Sequence, residues 1–172
     1  MTMVATRAAG SELARWADEH LPIGERVVDL GTGDGGDALF LARQGRPVLA
    51  YDVEPAALDR LRDRARRHEL EVDVRRLDLG SLAGVLAEGA ELARSPYHLY
   101  ARRLVGCLDP AARSNLWLLA RMALRGRGGR LVLEVDASYA DLARRELGAA
   151  GGRVLDAWAG ADPQVRRMVA SW

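Results

Sequence analysis

Short apolar runs alternate along the chain with longer segments in which apolar residues recur every three or four positions. The short runs are typical of buried strands, and the wider spacing is typical of amphipathic helices. The clearest runs are RVVDL at 26–30, PVLAY at 47–51 and RLVLEV at 130–135. Alternation of this kind predicts an α/β fold built on parallel strands.

The complete pattern predicts six helices and seven strands. The helices are expected at 12–20, 37–44, 55–68, 82–94, 110–125 and 139–147, and the further strands at 71–77, 97–101, 152–160 and 164–172. Because crossovers between parallel strands are right-handed, this order predicts a doubly wound sheet whose ligand crevice lies at the carboxyl ends of the strands. A chain of 172 residues is expected to form one domain, 1–172, in which 1–24 is a short helical cap.

Composition excludes several classes of function. All 25 basic residues are arginine and 24 residues are acidic, so the net charge of +1 gives no general attraction for nucleic acid. No apolar run approaches the roughly 18 residues of a membrane span, and the first residues lack the layout of a secretory signal. Three histidines and the single Cys107 show no metal-ligand spacing, so we expect no metal and a cytoplasmic location.

The most informative stretch is VDLGTGDGGDALF at 28–40, a glycine-rich turn between a predicted strand and a predicted helix. Its glycines satisfy the dinucleotide pattern G-x-G-x-x-G, which alone is a weak signal, and also the pattern acidic-x-G-x-G-x-G. The second pattern consists of Asp29, Gly31, Gly33 and Gly35. The two patterns predict ligands of opposite charge.

Electrostatics favour a cationic nucleoside over a pyrophosphate. Asp29 and Asp34 would repel a pyrophosphate but would attract an ammonium or a sulfonium, and S-adenosylmethionine carries both. Asp52 ends the second strand, where a carboxylate can bind both ribose hydroxyls. Asp78 follows the third strand and is expected to bind the adenine amino group. Leu79 would contribute its backbone N–H, and Val53 would pack on the ring.

These residues carry a resemblance to a known family. The stretch 27–62, with LDL at 77–79 and GRLVLEV at 129–135, resembles the class I S-adenosylmethionine-dependent methyltransferases, and 99–131 resembles their small bacterial members. The resemblance implies a Rossmann-like sheet of seven mostly parallel strands with a reversed last strand. It implies S-adenosylmethionine as cofactor and S-adenosylhomocysteine as product. The positions that match the family's cofactor site are Asp29, Gly31, Thr32, Gly33, Gly35, Asp52, Val53, Asp78 and Leu79.

The methyl acceptor is less clearly marked. The fourth strand lacks the Asn-Pro-Pro-Tyr type of motif found in adenine and glutamine N-methyltransferases, and Tyr100, Ala101 and Arg102 stand there instead. Arg102 could bind an acceptor carboxylate, or it could pair with a nearby acid. The candidates for a base or an anchor beside the fourth and fifth strands are His98, Tyr100, Arg102, Arg103, Asp136 and Tyr139, of which Arg102, Tyr100 and His98 are the residues expected at the acceptor. For His98 the alternative is a packed side chain whose hydrogen bonds are made within the protein.

Three functions follow from these observations. The first is methyl transfer to a small molecule by direct in-line displacement. The second is a non-catalytic S-adenosylmethionine-binding or scaffold protein that supports a partner. The third, a small NAD-binding domain, rests on G-x-G-x-x-G alone. A homodimer is possible, because Trp158 and Trp172 in the tail could form its surface.

Overall fold

The computed structural model describes residues 10–172, which form a single seven-stranded sheet with helices on both faces. The strands are β1 (Val27–Leu30), β2 (Val48–Asp52), β3 (Val72–Arg76), β4 (His98–Arg102), β5 (Leu131–Asp136), β6 (Arg153–Ala159) and β7 (Val165–Ser171). Their order across the sheet is β3-β2-β1-β4-β5-β7-β6. Strands β1 to β5 run parallel, while β7 is antiparallel to both β5 and β6. The predicted fold class is confirmed.

Six helices connect these strands, and most of their ends differ from the predicted ones by no more than two residues. They are α1 (Glu12–His20), α2 (Gly36–Arg43), α3 (Pro55–Arg67), α4 (Leu82–Leu92), α5 (Pro110–Leu124) and α6 (Ala140–Ala149). Two short 3-10 turns follow β4 and β5, at Val105–Cys107 and Ala137–Tyr139. None of the helices in residues 10–172 is both long and apolar enough to cross a bilayer.

Side-chain caps explain where two of these helices begin. The Ser11 hydroxyl accepts a hydrogen bond from the Ala14 N–H at 3.1 Å, and the Asp109 carboxylate accepts one from the Ala112 N–H at 2.8 Å. Both acceptors satisfy N–H groups that have no partner within the helix. Pro110 takes the first helical position of α5, where a missing N–H costs nothing.

The sheet separates two apolar layers. Alternate strand residues point to opposite faces, so Leu131 and Leu133 of β5 lie in one layer and Val132 in the other. The first layer includes α4, α5 and α6, and the second includes α1, α2 and α3. The site involves both layers: Leu30, Tyr51, Leu77, Leu79 and Ala112 of the first layer line its cavity, while Asp29 lies on the face of the second.

Helix α1 is firmly attached to that second layer. Leu13, Ala14 and Ala17 are fully buried. The turn that follows is held by the buried guanidinium of Arg46, which donates to the Asp18 carboxylate at 2.8 Å and to backbone carbonyls of 18, 21 and 22. The first helix is therefore part of the core rather than a loose cover.

Candidate active site

A cavity of about 420 Å³ opens at the carboxyl ends of β1, β2 and β4, where a doubly wound sheet is expected to bind its ligand. This volume is within the range of small-molecule sites. Its wall is formed by the glycine turn, by the ends of β2 and β3, and by the segment between β4 and α5. The lining residues that the sequence predicted are Gly31, Asp52, Val53, Asp78, Leu79, Arg102 and Arg103.

The glycine turn adopts a backbone conformation that side chains disfavour. Gly31, Gly33 and Gly35 have φ values of 69°, 57° and 74°, in the left-handed region. The three differ in their surroundings. A Cβ on Gly33 would meet nothing within 4 Å, whereas one on Gly35 would lie 2.3 Å from a methyl carbon of Leu61. A Cβ at Gly33 would therefore enter open space, whereas Gly35 is required by packing.

Asp52 links this turn to the end of β2. Its Oδ2 accepts a hydrogen bond from the Gly33 N–H at 2.8 Å, and its Oδ1 accepts one from the Glu54 N–H at 3.0 Å. The same carboxylate lines the cavity. Each oxygen still has a free lone pair, so Asp52 can accept from two ligand hydroxyls as well.

The far end of the cavity has the features expected for a flat heterocycle. Val53 is 48% exposed, and Leu79 and Asp78 follow β3 on the opposite side. The Asn115 amide donates to the Leu79 carbonyl at 2.7 Å and fixes the segment. Asn115 was not anticipated, because its contact spans 36 residues and nothing in the sequence around it signals the contact.

The three carboxylates of the turn do not act together. Asp29 is buried and its Oδ2 accepts from the Thr32 hydroxyl at 2.6 Å, so the Thr32 side chain is used within the loop. Burial raises the pKa of Asp29 to about 7; the negative charge of Asp37 acts in the same direction and the Thr32 hydrogen bond against it. Asp34 lies at the exposed tip, 3.8 Å from the Arg64 guanidinium.

Asp37 is the centre of a buried polar cluster behind the turn. Its Oδ1 accepts from the Ser11 N–H at 2.9 Å, and its Oδ2 accepts from the Ser11 hydroxyl at 2.9 Å, the Tyr100 hydroxyl at 2.7 Å and Arg102 Nε at 2.8 Å. The cluster joins the start of α1, the start of α2 and the end of β4. Asp37 therefore positions the walls of the site instead of facing the ligand.

Of the three residues expected at the acceptor, only Arg102 reaches the cavity. Its side chain is 42% exposed although its Nε is bound to Asp37. The Tyr100 hydroxyl is buried in the Asp37 cluster, and burial together with the charges of Asp37 and Asp29 raises the pKa of Tyr100 above its usual value. Tyr100 is thus poorly suited to act as a base at neutral pH.

The placement of His98 beside the acceptor is wrong. His98 is the first residue of β4 and pairs in register with Val27, so it lies at the amino end of the parallel strands. Its ring contacts the Glu25 carboxylate, and its Nδ1 accepts from the Arg130 N–H at 3.2 Å. His98 is therefore a buried histidine with a partner at each ring nitrogen, and it lies at the end of the parallel strands opposite the cavity.

The other acceptor candidates lie near the mouth of the cavity. Asp136 is the exposed last residue of β5, and the ring of Tyr139 packs over Gly106 in the turn after β4. Arg103 follows Arg102 and lines the cavity with it. Across residues 10–172, no three His, Cys, Asp or Glu side chains are grouped in a way that could hold a metal ion.

The tail tryptophans both contact their own chain. Trp158 lies 4.6 Å from Trp16 between ring centroids, and the Trp172 Nε1 donates to the Ala150 carbonyl at 3.1 Å. The possible homodimer stays a prediction.

The strand order, the glycine turn and the acidic residue that ends β2 match those of an S-adenosylmethionine-binding methyltransferase sheet, and a family model described as "Methyltransferase domain" matches residues 27–102. This match and the fold confirm the resemblance to the class I S-adenosylmethionine-dependent methyltransferases that the sequence predicted. The cofactor of that class is S-adenosylmethionine, and the residues that line the cavity fit it.

The chain is similar in sequence to bacterial methyltransferases. The ribosomal protein L11 methyltransferase of Thermus thermophilus is 32% identical over 151 residues, which cover 88% of this chain and 53% of the relative. The chain therefore spans about half the length of that protein.

Two solved structures share the fold. A TehB-like methyltransferase from Corynebacterium glutamicum has a TM-score of 0.76 at 19% identity, covering 92% of this chain and 86% of the other. The glycopeptide N-methyltransferase MtfA, solved with S-adenosylmethionine, has a TM-score of 0.73 at 16% identity, covering 94% and 92%. At these identities the likeness concerns the fold.

Proposed function

We propose that the protein binds S-adenosylmethionine in the 420 Å³ cavity and transfers its methyl group to a small-molecule acceptor at the carboxyl end of β4. When bound, this cofactor would supply an electrophilic methyl carbon on a sulfonium: the acceptor atom would bond to that carbon as the carbon–sulfur bond breaks and S-adenosylhomocysteine leaves. The protein must then align the two molecules and exclude water.

The observation that carries the proposal is the position of Asp52. Its carboxylate ends β2, lines the cavity and is held by the Gly33 N–H at 2.8 Å. In the proposed complex Asp52 accepts from the ribose hydroxyls, and the glycine backbone approaches the methionine part. Asp78, Leu79 and Val53 surround the adenine, while Asp29 supports the turn from behind.

A small acceptor is supported by the shape of the site next to Arg102. Among residues 10–172, Arg102 has one hydrogen-bond partner, Asp37 at its Nε, which leaves the two terminal nitrogens on the cavity side for an acceptor. The Thermus relative acts on ribosomal protein L11 and is about twice as long. A test of the proposal must therefore also be able to detect methylation of a protein.

A non-catalytic, cofactor-binding role is the second candidate. It is favoured by one observation: the two side chains most suited to act as a base, Tyr100 and His98, are engaged in internal contacts. Displacement on a sulfonium does not require a base when the acceptor is a carboxylate or a neutral amine. The two candidates therefore differ in turnover and not in cofactor binding.

Calorimetric titration with S-adenosylmethionine, S-adenosylhomocysteine and NAD tests the cofactor. We expect the first two to bind, and we expect Asp52→Ala to weaken both by about tenfold or more, the value of hydrogen bonds to a charged group. Asp63→Ala, which removes an exposed acid on α3, is the matched control. A preference for NAD, or equal affinity in the Asp52 variant, would refute the proposal.

Turnover is tested by incubation with labelled cofactor and either a metabolite extract or purified ribosomal protein L11. Enzyme-dependent label in the small-molecule fraction is the expected result. Label in L11 would replace the proposed acceptor class, and tight cofactor binding with no product in either fraction would favour the non-catalytic role.

A further inference from the structure

Arg103 has an unusual backbone for its residue type. Its φ is +54°, and among the described residues only one other non-glycine residue, Glu69, has a positive φ. Left-handed backbone is costly for a residue with a long side chain, and such conformations concentrate at functional sites. Its N–H is also bound, donating to the Glu134 carbonyl at 2.8 Å.

The consequence of this backbone is that two consecutive arginines face the same cavity. Neighbouring residues in a continuing strand point to opposite faces of the sheet. The left-handed turn at Arg103 breaks that alternation, and Arg102 and Arg103 both line the cavity. Their side chains are 42% and 50% exposed, so both are accessible to solvent.

The Arg103 guanidinium has two carboxylates near it, one buried and one half-exposed. Glu134 is deeply buried and already accepts from Arg167 Nε at 2.8 Å, while its other oxygen lies 3.6 Å from Arg103 Nε. The closer partner of Arg103 is Asp162, whose Oδ2 accepts from Nη2 at 3.2 Å. Asp162 is 47% exposed, and an ion pair between half-exposed side chains is weak.

Asp162 belongs to the loop between β6 and β7, which contacts Arg103 through this ion pair. The loop has a second attachment, because the Ala161 N–H donates to Glu12 at 3.3 Å. A hydrogen bond from Arg167 lowers the pKa of Glu12 to about 2, so this anchor stays charged. Releasing Asp162 would therefore free Arg103 without detaching the loop from α1.

We propose that Arg102 and Arg103 form a subsite for an anionic group of the methyl acceptor, a carboxylate or a phosphate, and that Asp162 fills the subsite until the acceptor enters. A planar guanidinium binds such a group through two parallel hydrogen bonds, which a half-exposed Asp162 does not match. The acids Asp52 and Asp78 also line the cavity, where the ribose and adenine of the cofactor are proposed to lie. That the bound anion belongs to a methyl acceptor rests on the proposed function. Anion binding by the two arginines does not depend on it.

Heteronuclear NMR titration with two probes, inorganic phosphate and benzoate, tests the subsite. Asp162→Asn removes the internal competitor and should tighten binding of a probe about threefold, as expected for an exposed ion pair. Arg103→Asn should weaken it about tenfold or more, as expected for loss of charged hydrogen bonds. Asparagine tolerates left-handed backbone, so this variant should keep the melting temperature of the unaltered protein.

The matched controls are Glu91→Gln and Arg94→Asn, which break an exposed ion pair of 3.2 Å on α4 and should leave probe binding unchanged. Binding of phosphate alone or benzoate alone supports the subsite and selects the acceptor's anionic group. Equal probe affinity in the Arg103 variant, or no gain in the Asp162 variant, would overturn the inference. S-adenosylmethionine is titrated separately into the same proteins, so a failure of the proposed cofactor is seen independently of a failure of the subsite.

Discussion

Asp29 shows how one buried carboxyl responds to its surroundings. It lies in β1 beneath the glycine turn and its pKa is raised to about 7 by burial, whereas an unfolded aspartate titrates near pH 4. Between these two values the folded protein binds more protons than the unfolded chain. The contribution of Asp29 to stability is therefore largest at low pH and is lost as the pH rises toward 7.

Replacing Asp29 by asparagine should remove this pH dependence. The amide oxygen can still accept from the Thr32 hydroxyl, so the local structure is kept. The free energy of unfolding of the Asp29→Asn variant, relative to the unaltered protein, should rise by at most about 1.4 kcal/mol per pH unit between pH 4 and 7. Urea unfolding at several pH values measures the difference. A constant difference across that range would show that Asp29 is charged throughout.

Residue types alone misled the sequence analysis where a side chain's direction mattered. Asp29 and Asp34 were both predicted to act on the charge of the ligand, yet Asp29 is buried under the turn and Asp34 is exposed at its tip. Asp37, to which the sequence gave no role, binds Ser11, Tyr100 and Arg102. These contacts join positions up to 65 residues apart, so the sequence around each residue does not indicate them. Local pattern did identify the turn itself.

At the scale of elements, the turn before α2 separates a glycine needed for a ligand from one needed for packing. Gly33 and Gly35 share a left-handed backbone, but only Gly35 lies against Leu61. A Cβ at Gly33 would enter the space where the cofactor is proposed to lie.

The two alanine substitutions should therefore have different effects. Gly33→Ala should cost about 1–2 kcal/mol of stability, the penalty for left-handed backbone, and should also reduce cofactor affinity. Gly35→Ala has the same backbone penalty, and its Cβ also displaces Leu61. We therefore expect a further loss of stability of about 1–3 kcal/mol from overpacking. Thermal unfolding and calorimetric titration of both variants give the comparison. Equal stability losses would mean that Leu61 moves aside freely.

The positions of the central strands were predicted well because β1 and β5 are short apolar runs buried on both faces, as in VVDL and LVLEV. The end of a strand was harder to place. β4 was predicted one residue too early, at 97–101, and runs from His98 to Arg102. The prediction also gave no reason to separate the two ends of the strand, so His98 and Arg102 were assigned to the same site.

At the scale of the whole molecule, we propose that residues 1–172 form one domain. Of the predicted cap, 1–24, helix α1 within residues 10–24 packs into its core and 1–9 lie outside the described residues. Helix α1 contributes three fully buried side chains, and Arg46 binds the turn after it through four hydrogen bonds. Ser11 and Glu12 add contacts to Asp37 and Arg167. These contacts connect α1 to α2 and β7.

Deleting residues 1–24 should consequently unfold the protein instead of merely opening its site. Loss of Leu13 alone is comparable to a large-to-small core substitution, which costs about 2–5 kcal/mol, a large part of the stability of a typical domain. Circular dichroism with denaturant titration checks this. A truncated chain that unfolds cooperatively at the same denaturant concentration would show that the cap is separable.

The sequence contains one cysteine, and the fold places it in the wall of the cavity. Cys107 is exposed and lies in the turn after β4, with its thiol 3.4 Å from the Arg103 carbonyl. A thiol-reactive fluorophore would attach to this position alone, without any engineered residue. The emission of such a dye would then follow the filling of the site in real time, which provides an optical assay for ligands before any acceptor is known.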